Sequence, residues 1–139
     1  MSATLELLDP PMASLSPLAV AAQVENGFPI ATLDRLTRAI APDDPSFANR
    51  LVPRATLARR RAQPDGRLTT EESSRLLRVY AVWEFAVNIW KDEAKARDWM
   101  FGPHMMLDDR RPIDVVIASE FGRPVVEGIL GRMYYGIAI

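Results

Sequence analysis

A capping box followed by a long apolar segment sets the framework of this fold. Thr69 and Glu72 have the spacing at which each side chain accepts a hydrogen bond from the backbone N–H of the other, which marks the start of a helix. We expect a helix from about Thr70 to Trp90, and apolar residues recur around most of its circumference. Such a helix has to be central in the fold or shared with a partner.

Prolines divide the rest of the chain into shorter helices. Most of the 11 prolines stand where a helix would begin or has just ended, because a proline in the first turn loses no hydrogen bond. We expect helices over residues 17–25, 30–41, 45–52, 54–63, 92–101, 113–121 and from 124 to about 133. No segment alternates apolar and polar residues as a half-buried strand would, so the sequence predicts an all-α fold.

The composition argues against catalysis. The 139 residues contain no cysteine and a single histidine, His104, which excludes thiolate metal sites and cysteine nucleophiles. Asp108 and Asp109 precede Arg110 and Arg111, and this order is typical of a solvated turn and not of a catalytic pair of carboxylates. We therefore expect a protein that is not an enzyme, with no catalytic residue, no metal and no cofactor.

The N-terminal segment and the hydropathy pattern indicate a cytoplasmic protein. The first residues, MSATLELLDPP, contain acids and prolines where a signal peptide needs a basic start and an unbroken apolar core. No apolar run reaches the roughly 18 residues that a membrane span requires. We expect a chain that stays in the cytoplasm and has no membrane partner.

Positive charge is concentrated in one short stretch. The whole chain has a formal net charge of -1, yet residues 50–78 contain eight arginines against three acids. The densest part is PRATLARRR, and arginine presents a fork of donors that suits phosphate and guanine. A basic run of this kind is also common on a solvated helix face.

Residues 45–61 have the pattern of a helix-turn-helix. A short helix with an alanine, a tight corner at Val52 and Pro53, and then Ala-Thr-Leu followed by arginines are typical of this motif. Its second helix would lie in the major groove, with Ala55 and Leu57 packed inward. We expect five residues to contact DNA, the first two at bases or phosphates and the others at the backbone: Arg54, Thr56, Arg59, Arg60 and Arg61. An ordinary helical hairpin is the alternative.

Four spaced segments resemble the MbcA/ParS/Xre antitoxin family and look closest to its ParS branch. They are VPRATLARRR, GRLTTEESSRLLRV, ARDWMFGPHMML and RRPIDVVIASEFGRPVVEGILGRMYYGIAI. The resemblance spans most of residues 28–139, and several matches in order are more specific than any one of them. The chain departs from the family at Asp108 and Asp109, where glycines are frequent before the Pro-Ile-Asp block.

The resemblance implies an antitoxin of a type II toxin-antitoxin system. In this family an N-terminal Xre-like helix-turn-helix represses the operon, and a C-terminal helical domain binds a RES-domain toxin. Those toxins consume NAD, either by ADP-ribosylating a protein or by degrading the dinucleotide. On this chain we expect the DNA-binding part in residues 1–66 and a toxin-binding domain, built around the long helix, in residues 67–139.

The C-terminus is the segment that the resemblance places in the toxin's active-site cleft, where it would keep NAD out. Its two tyrosines are rigid amphipathic anchors, and its last residues are small or apolar. The expected toxin-binding residues are Arg132, Tyr134, Tyr135, Gly136, Ile137, Ala138 and Ile139. Without the resemblance, we would expect the same segment to fold back onto the protein's own core.

The antitoxin function implies a set of partners, and two other functions remain as alternatives to it. The expected partners are the cognate RES-domain toxin, operator DNA, and further copies in a homodimer or in a heterotetramer with the toxin, since such readers of DNA usually bind as symmetric dimers. A stand-alone transcriptional regulator of the same fold would bind DNA without an enzyme to restrain. A helical adaptor whose arginines are only solvated surface would bind no DNA.

Overall fold

The structure is a computed structural model that describes residues 14–136 of the chain. This part contains eight α-helices and no β-strand, which confirms the predicted all-α fold for the described residues. The helices are α1 Pro17–Asn26, α2 Ile30–Ile40, α3 Ala48–Leu51, α4 Arg54–Arg61, α5 Thr70–Trp90, α6 Glu93–Phe101, α7 Pro112–Ala118 and α8 Gly122–Tyr134. Short 3-10 turns at Pro45–Phe47 and Met105–Leu107 lie between them.

Several helices begin where a side chain satisfies a free backbone N–H group. Ser16 caps α1 and Asp92 caps α6, each accepting a hydrogen bond of 3.1 Å from the N–H three residues further on. The capping box before α5 forms as predicted. Glu72 N–H donates to Thr69 Oγ1 at 3.1 Å, and Thr69 N–H donates to Glu72 Oε1 at 2.9 Å.

The described residues form two compact units, 14–77 and 78–136, which divide inside α5. Residues 67–77 belong to the first unit, to which they are connected by hydrogen bonds. Phe28 N–H donates to Ser73 Oγ at 2.9 Å, and Leu68 N–H donates to Phe28 O at 2.9 Å. The boundary predicted after residue 66 concerns the division of functions, and it stays a prediction.

The first unit is built around α2. One face of this helix is fully buried at Leu33, Leu36 and Ile40, as its spacing predicts, and the helix contacts α3 and the 3-10 turn before it. Gly27 connects α1 to α2 with φ +84°, and a Cβ at this position would lie 2.0 Å from Leu68 O. Only glycine fits this close approach of two backbone segments.

In the second unit, α7 packs against both α6 and α8. Arg78 holds the C-terminal end of α7, because its Nε donates to Val116 O and its Nη2 donates to Ile117 O, both at 2.7 Å. These bonds satisfy carbonyls that a helix end leaves free. The most deeply buried residues of this unit include Val79, Val82, Trp83, Ala86, Ala96, Met100, Ile113, Val116, Val126 and Leu130.

The corner between α7 and α8 differs from the prediction. The sequence predicted a helix to Phe121 and the next helix from about Pro124, whereas α7 ends at Ala118 and α8 begins at Gly122. A Cβ at Gly122 would lie 2.0 Å from Val115 O. This glycine therefore permits a close contact between the two helices and does not mark the end of the first.

Candidate functional site

The predicted helix-turn-helix corner forms from α3 and α4. The first of these helices ends at Leu51, and Val52 follows in an extended conformation with φ −136° and ψ 125°. Pro53 then leads directly into α4. Arg75 Nη1 donates to Leu51 O at 2.8 Å and so satisfies a carbonyl at the end of α3. The two helices thus meet at the tight corner that the sequence predicted.

The inner face of α4 is narrow. Among the residues of α4 only Leu57 is buried, and its burial confirms the prediction. Ala55 is exposed, so the prediction that it packs inward is wrong. Residues two apart on a helix point in nearly opposite directions, which prevents Ala55 and Leu57 from packing on the same side.

All five predicted DNA contacts lie on α4 and are at least partly accessible to solvent, with Arg61 exposed and Arg60 half-buried. Arg54 and Arg59 are exposed, and Thr56 is half-buried. Within residues 14–136, neither of these two arginines forms an ion pair with a carboxylate. Their guanidinium groups are therefore available to an anionic partner.

The other two predicted contacts, Arg60 and Arg61, are paired within the protein. Arg60 forms an ion pair with Glu72, and the two side chains are only 15% and 11% exposed. Arg61 donates from Nη1 and Nη2 to the two oxygens of Asp34 at 3.0 and 2.7 Å. These hydrogen bonds lower the pKa of Asp34 and raise the pKa of Arg61 from their ordinary values.

Helical spacing contains a signal for this pairing that the sequence analysis missed. Arg60 and Arg61 stand at i+3 and i+4 from Leu57, so they share a helix face with a buried residue. Arg59, at i+2, points away from that face. Spacing from Leu57 thus distinguishes Arg59 from Arg60 and Arg61, but it does not single out Arg54, which stands at i−3 from Leu57 and is exposed.

The C-terminal helix presents an apolar surface to solvent. Phe121 and Val125 are 75% and 51% exposed, and with Gly128, Arg132 and Tyr135 they follow one another at i, i+4, i+7, i+11 and i+14. These five residues define the α8 exposed face. Large apolar side chains aligned in this way are typical of an interaction surface.

The tyrosines at the end of α8 are exposed as well. Tyr134 and Tyr135 are 59% and 76% exposed, and their rings meet edge to face with centroids 5.1 Å apart. Gly136 follows with φ +71° and is also exposed. The predicted contacts Ile137, Ala138 and Ile139 lie outside the described residues. At the tyrosines, the structure shows no packing of the kind that folding back onto the core would require.

Two glycines on α8 are not contacted by other helices of residues 14–136. Apart from its chain neighbours and the backbone of α8 itself, a Cβ added at Gly128 or at Gly131 would have no atom of these residues within 4 Å. Both lie inside a helix, where glycine is destabilising relative to alanine by roughly 0.5–1 kcal/mol. A glycine of this kind lets another backbone approach closely, which agrees with an interface at this surface.

The described residues offer no arrangement for metal binding or membrane insertion. No group of three or more His, Cys, Asp or Glu side chains among them is placed to hold a metal ion. None of the helices in this part of the chain has the length and hydropathy needed to cross a membrane.

Comparison with known proteins gives matches to both units. The family model described as the antitoxin Xre-like helix-turn-helix domain matches residues 19–79, and the one described as the antitoxin Xre/MbcA/ParS C-terminal toxin-binding domain matches residues 85–136. A curated relative, "Antitoxin Xre" of Yersinia enterocolitica, is 38% identical over 87 residues. This alignment covers 62% of the chain and 57% of the relative. The chain belongs to the Xre/MbcA/ParS antitoxin family.

Proposed function

We propose that this chain is the antitoxin of a type II toxin-antitoxin system and that it acts by binding its toxin. The observation that supports this proposal is an exposed apolar surface near the C-terminus, which consists of the α8 exposed face and Tyr134. It lies in the residues that match the toxin-binding domain model. A soluble domain gains nothing from leaving aligned large apolar side chains in water, so a partner is expected to cover them.

The proposed partner is a RES-domain toxin that consumes NAD, as the resemblance to the ParS branch implies. Inhibition is steric: residues 132–139 enter the toxin's active-site cleft and occupy the space that NAD needs. Tyr134 and Tyr135 suit this role because aromatic rings bury a large area with few rotatable bonds. The antitoxin itself needs no catalytic group or cofactor for this mechanism.

The area that a stable complex must bury indicates a second contact with the toxin, beside the C-terminal segment. A stable protein complex buries about 800 Å² on each partner and involves roughly 20–30 residues a side. The eight residues 132–139 are too few for that area. The α8 exposed face leads directly into them, and we propose that it supplies the remaining contact, with Gly128 and Gly131 at the closest approach of the two backbones.

The N-terminal unit is proposed to bind operator DNA and so to repress its own operon. The helix-turn-helix corner is formed, and α4 presents Arg54, Thr56 and Arg59 at the surface. In such a complex α4 lies in the major groove, while the arginines neutralise phosphates. Repression at a symmetric operator calls for a dimer, and we propose a homodimer or a heterotetramer with the toxin.

The buried residues of the long helix α5 support its proposed role as a scaffold. Its apolar residues Leu76, Val79, Val82 and Ala86 are fully buried within the chain, so they are not available to a second copy. They support α5 as the scaffold of the fold. The half-buried apolar residues of α5 leave a dimer contact through this helix possible; they are Leu77, Phe85, Val87, Ile89 and Trp90.

Co-expression with the adjacent RES-domain gene tests the toxin-binding proposal in cells. We expect the full-length chain to restore growth and cellular NAD. A chain truncated after Met133 should still co-purify with the toxin through α8 but should restore neither growth nor NAD. The matched control carries Met105→Ser and Met106→Ser, which change two exposed apolar residues outside α8 and should leave protection intact.

The same experiment separates the antitoxin from its main alternative. If the full-length chain neither protects cells nor co-purifies with the toxin, the antitoxin function is wrong and a stand-alone helix-turn-helix regulator takes its place. If the truncated chain protects as well as the full-length chain, the toxin is bound but the C-terminal segment is not the inhibitory element.

A further inference from the structure

We propose that Arg60 and Arg61 are positioning residues, which hold α4 in its place in the first unit and make no contact with phosphate. Phosphate contact from this helix then falls to Arg54 and Arg59. The inference rests on the proposed DNA binding. It divides the arginines of one basic run into residues that position α4 and residues that contact phosphate.

The Arg60–Glu72 pair fixes α4 to the start of α5. Glu72 Oε1 receives the Arg60 guanidinium and also accepts the Thr69 N–H at 2.9 Å, so the carboxylate is part of the capping box. Both side chains of the pair are largely withdrawn from solvent. Turning Arg60 toward a phosphate would leave the Glu72 carboxylate with an uncompensated charge in a poorly solvated place.

The Arg61–Asp34 pair fixes the same end of α4 to α2. Two guanidinium nitrogens meet the two carboxylate oxygens at 2.7 and 3.0 Å, which is the geometry of a bidentate pair. Asp34 lies within α2 and therefore does not move independently of the core. Two ion pairs to two different helices set the orientation of α4 about its own axis.

The orientation set in this way directs Arg59 outward. Arg59 lies at i+2 from the buried Leu57 and thus on the opposite side of the helix. Arg54 opens α4 at the corner, where a recognition helix makes its closest contacts with DNA. The paired arginines thereby determine which side chains face the nucleic acid.

The salt dependence of DNA binding distinguishes the two classes. Each phosphate contact contributes about 0.9 to the slope of log K against log salt concentration. The probe is a fluorescein-labelled duplex of the DNA directly upstream of the gene, titrated with the full-length chain at several salt concentrations between about 50 and 200 mM. We expect Arg54→Gln and Arg59→Gln each to lower the slope by about 0.9. Arg60→Gln and Arg61→Gln should leave the slope unchanged while lowering the melting temperature.

Paired substitutions then identify the partner of each positioning residue. Asp34→Arg combined with Arg61→Asp rebuilds the ion pair in reverse and should recover the melting temperature and the affinity lost in Arg61→Asp. Arg60→Met combined with Glu72→Gln removes both charges but keeps an oxygen for the Thr69 N–H, and it should melt above Arg60→Met alone. Arg110→Gln, an exposed arginine of the other unit, controls for the change in net charge.

The possible failures are distinguishable. A slope that falls by about 0.9 in Arg60→Gln or Arg61→Gln, with no recovery in the paired variants, assigns these residues to phosphate and overturns the inference. A wild-type chain that binds the duplex at no salt concentration, although it still protects cells from the toxin, overturns the proposed DNA binding itself and the division of the arginines with it.

Discussion

Asp108 and Asp109 adopt a backbone conformation that normally favours glycine. Their φ values are 55° and 64°, and both lie in the turn that precedes α7. In this region an L side chain brings its Cβ too close to the following carbonyl oxygen, although aspartate tolerates it better than most residues. The resemblance to the family places glycines at this turn, and here two aspartates adopt a conformation that glycine adopts more readily.

Glycine at either position is therefore expected to stabilise the protein. We predict that Asp108→Gly and Asp109→Gly each raise the free energy of unfolding, by about 0.5–1 kcal/mol, because they remove the left-handed strain. Urea denaturation monitored by circular dichroism measures the effect. Asp65→Gly is the matched control, since Asp65 is exposed in a loop and is not among the non-glycine residues with positive φ. An equal gain at residue 65 would refute the explanation from strain.

Asp34 gives the stability of the protein a predictable dependence on pH. Arg61 lowers the pKa of this carboxyl in the folded chain, so near pH 4 the unfolded chain binds more protons than the folded chain. The contribution of Asp34 to stability is complete above the pKa of the unfolded state, and it is lost as the pH falls through the folded pKa.

We therefore expect Asp34→Asn to be less stable than the wild type at pH 7, with a difference that shrinks as the pH is lowered below about 4. Urea unfolding at a series of pH values measures this difference. Asp43→Asn changes an exposed aspartate in the loop after α2 and provides the baseline. A difference that stays constant down to pH 3 would show that the ion pair with Arg61 does not stabilise the folded chain.

At the scale of single helices, α8 combines poor helix propensity with an exposed apolar surface. We predict that Gly128→Ala stabilises the isolated chain by about 0.5–1 kcal/mol, because the new methyl group meets no atom and alanine is the better helix former. The same substitution should weaken toxin binding by about tenfold, since the Cβ separates the two backbones at the proposed interface.

Calorimetric titration of the toxin, together with thermal melting of the free antitoxin, measures both effects of Gly128→Ala. Ser74→Ala, on an exposed position of α5, is the control that should raise helix propensity without changing toxin affinity. Unchanged affinity in Gly128→Ala would place the interface elsewhere on the domain.

The helices show which features a sequence can predict. Local signals were sufficient for α1, α2 and α5: the cap at Ser16 for α1, periodic apolar residues for α2, and the capping box with a long apolar segment for α5. The corner between α7 and α8 was misplaced because Gly122 serves a contact with Val115 O, which is a tertiary requirement. Spacing from Leu57 places Arg60 and Arg61 near the inner face of α4, but their partners could not be identified locally, since Asp34 lies 27 residues from Arg61.

At the scale of the whole molecule, two compact units match two different family models. Residues 14–77 contain most of the match to the helix-turn-helix domain, and residues 78–136 contain the exposed α8 surface and the whole match to the toxin-binding domain. The sequence predicted this order of functions along the chain. It did not predict that the units divide inside α5, because a continuous helix gives no local signal of a boundary.

We propose that toxin binding and toxin inhibition reside in adjacent but separable parts of the C-terminal unit. Measuring the affinity and the inhibition with purified proteins tests whether the two are separable. The affinity of the toxin for the full-length chain and for the chain truncated after Met133 is compared with the inhibition of NAD consumption by each. We expect the truncated chain to bind within about tenfold of the full-length affinity and to leave NAD consumption uninhibited. Full inhibition by the truncated chain would contradict the claim.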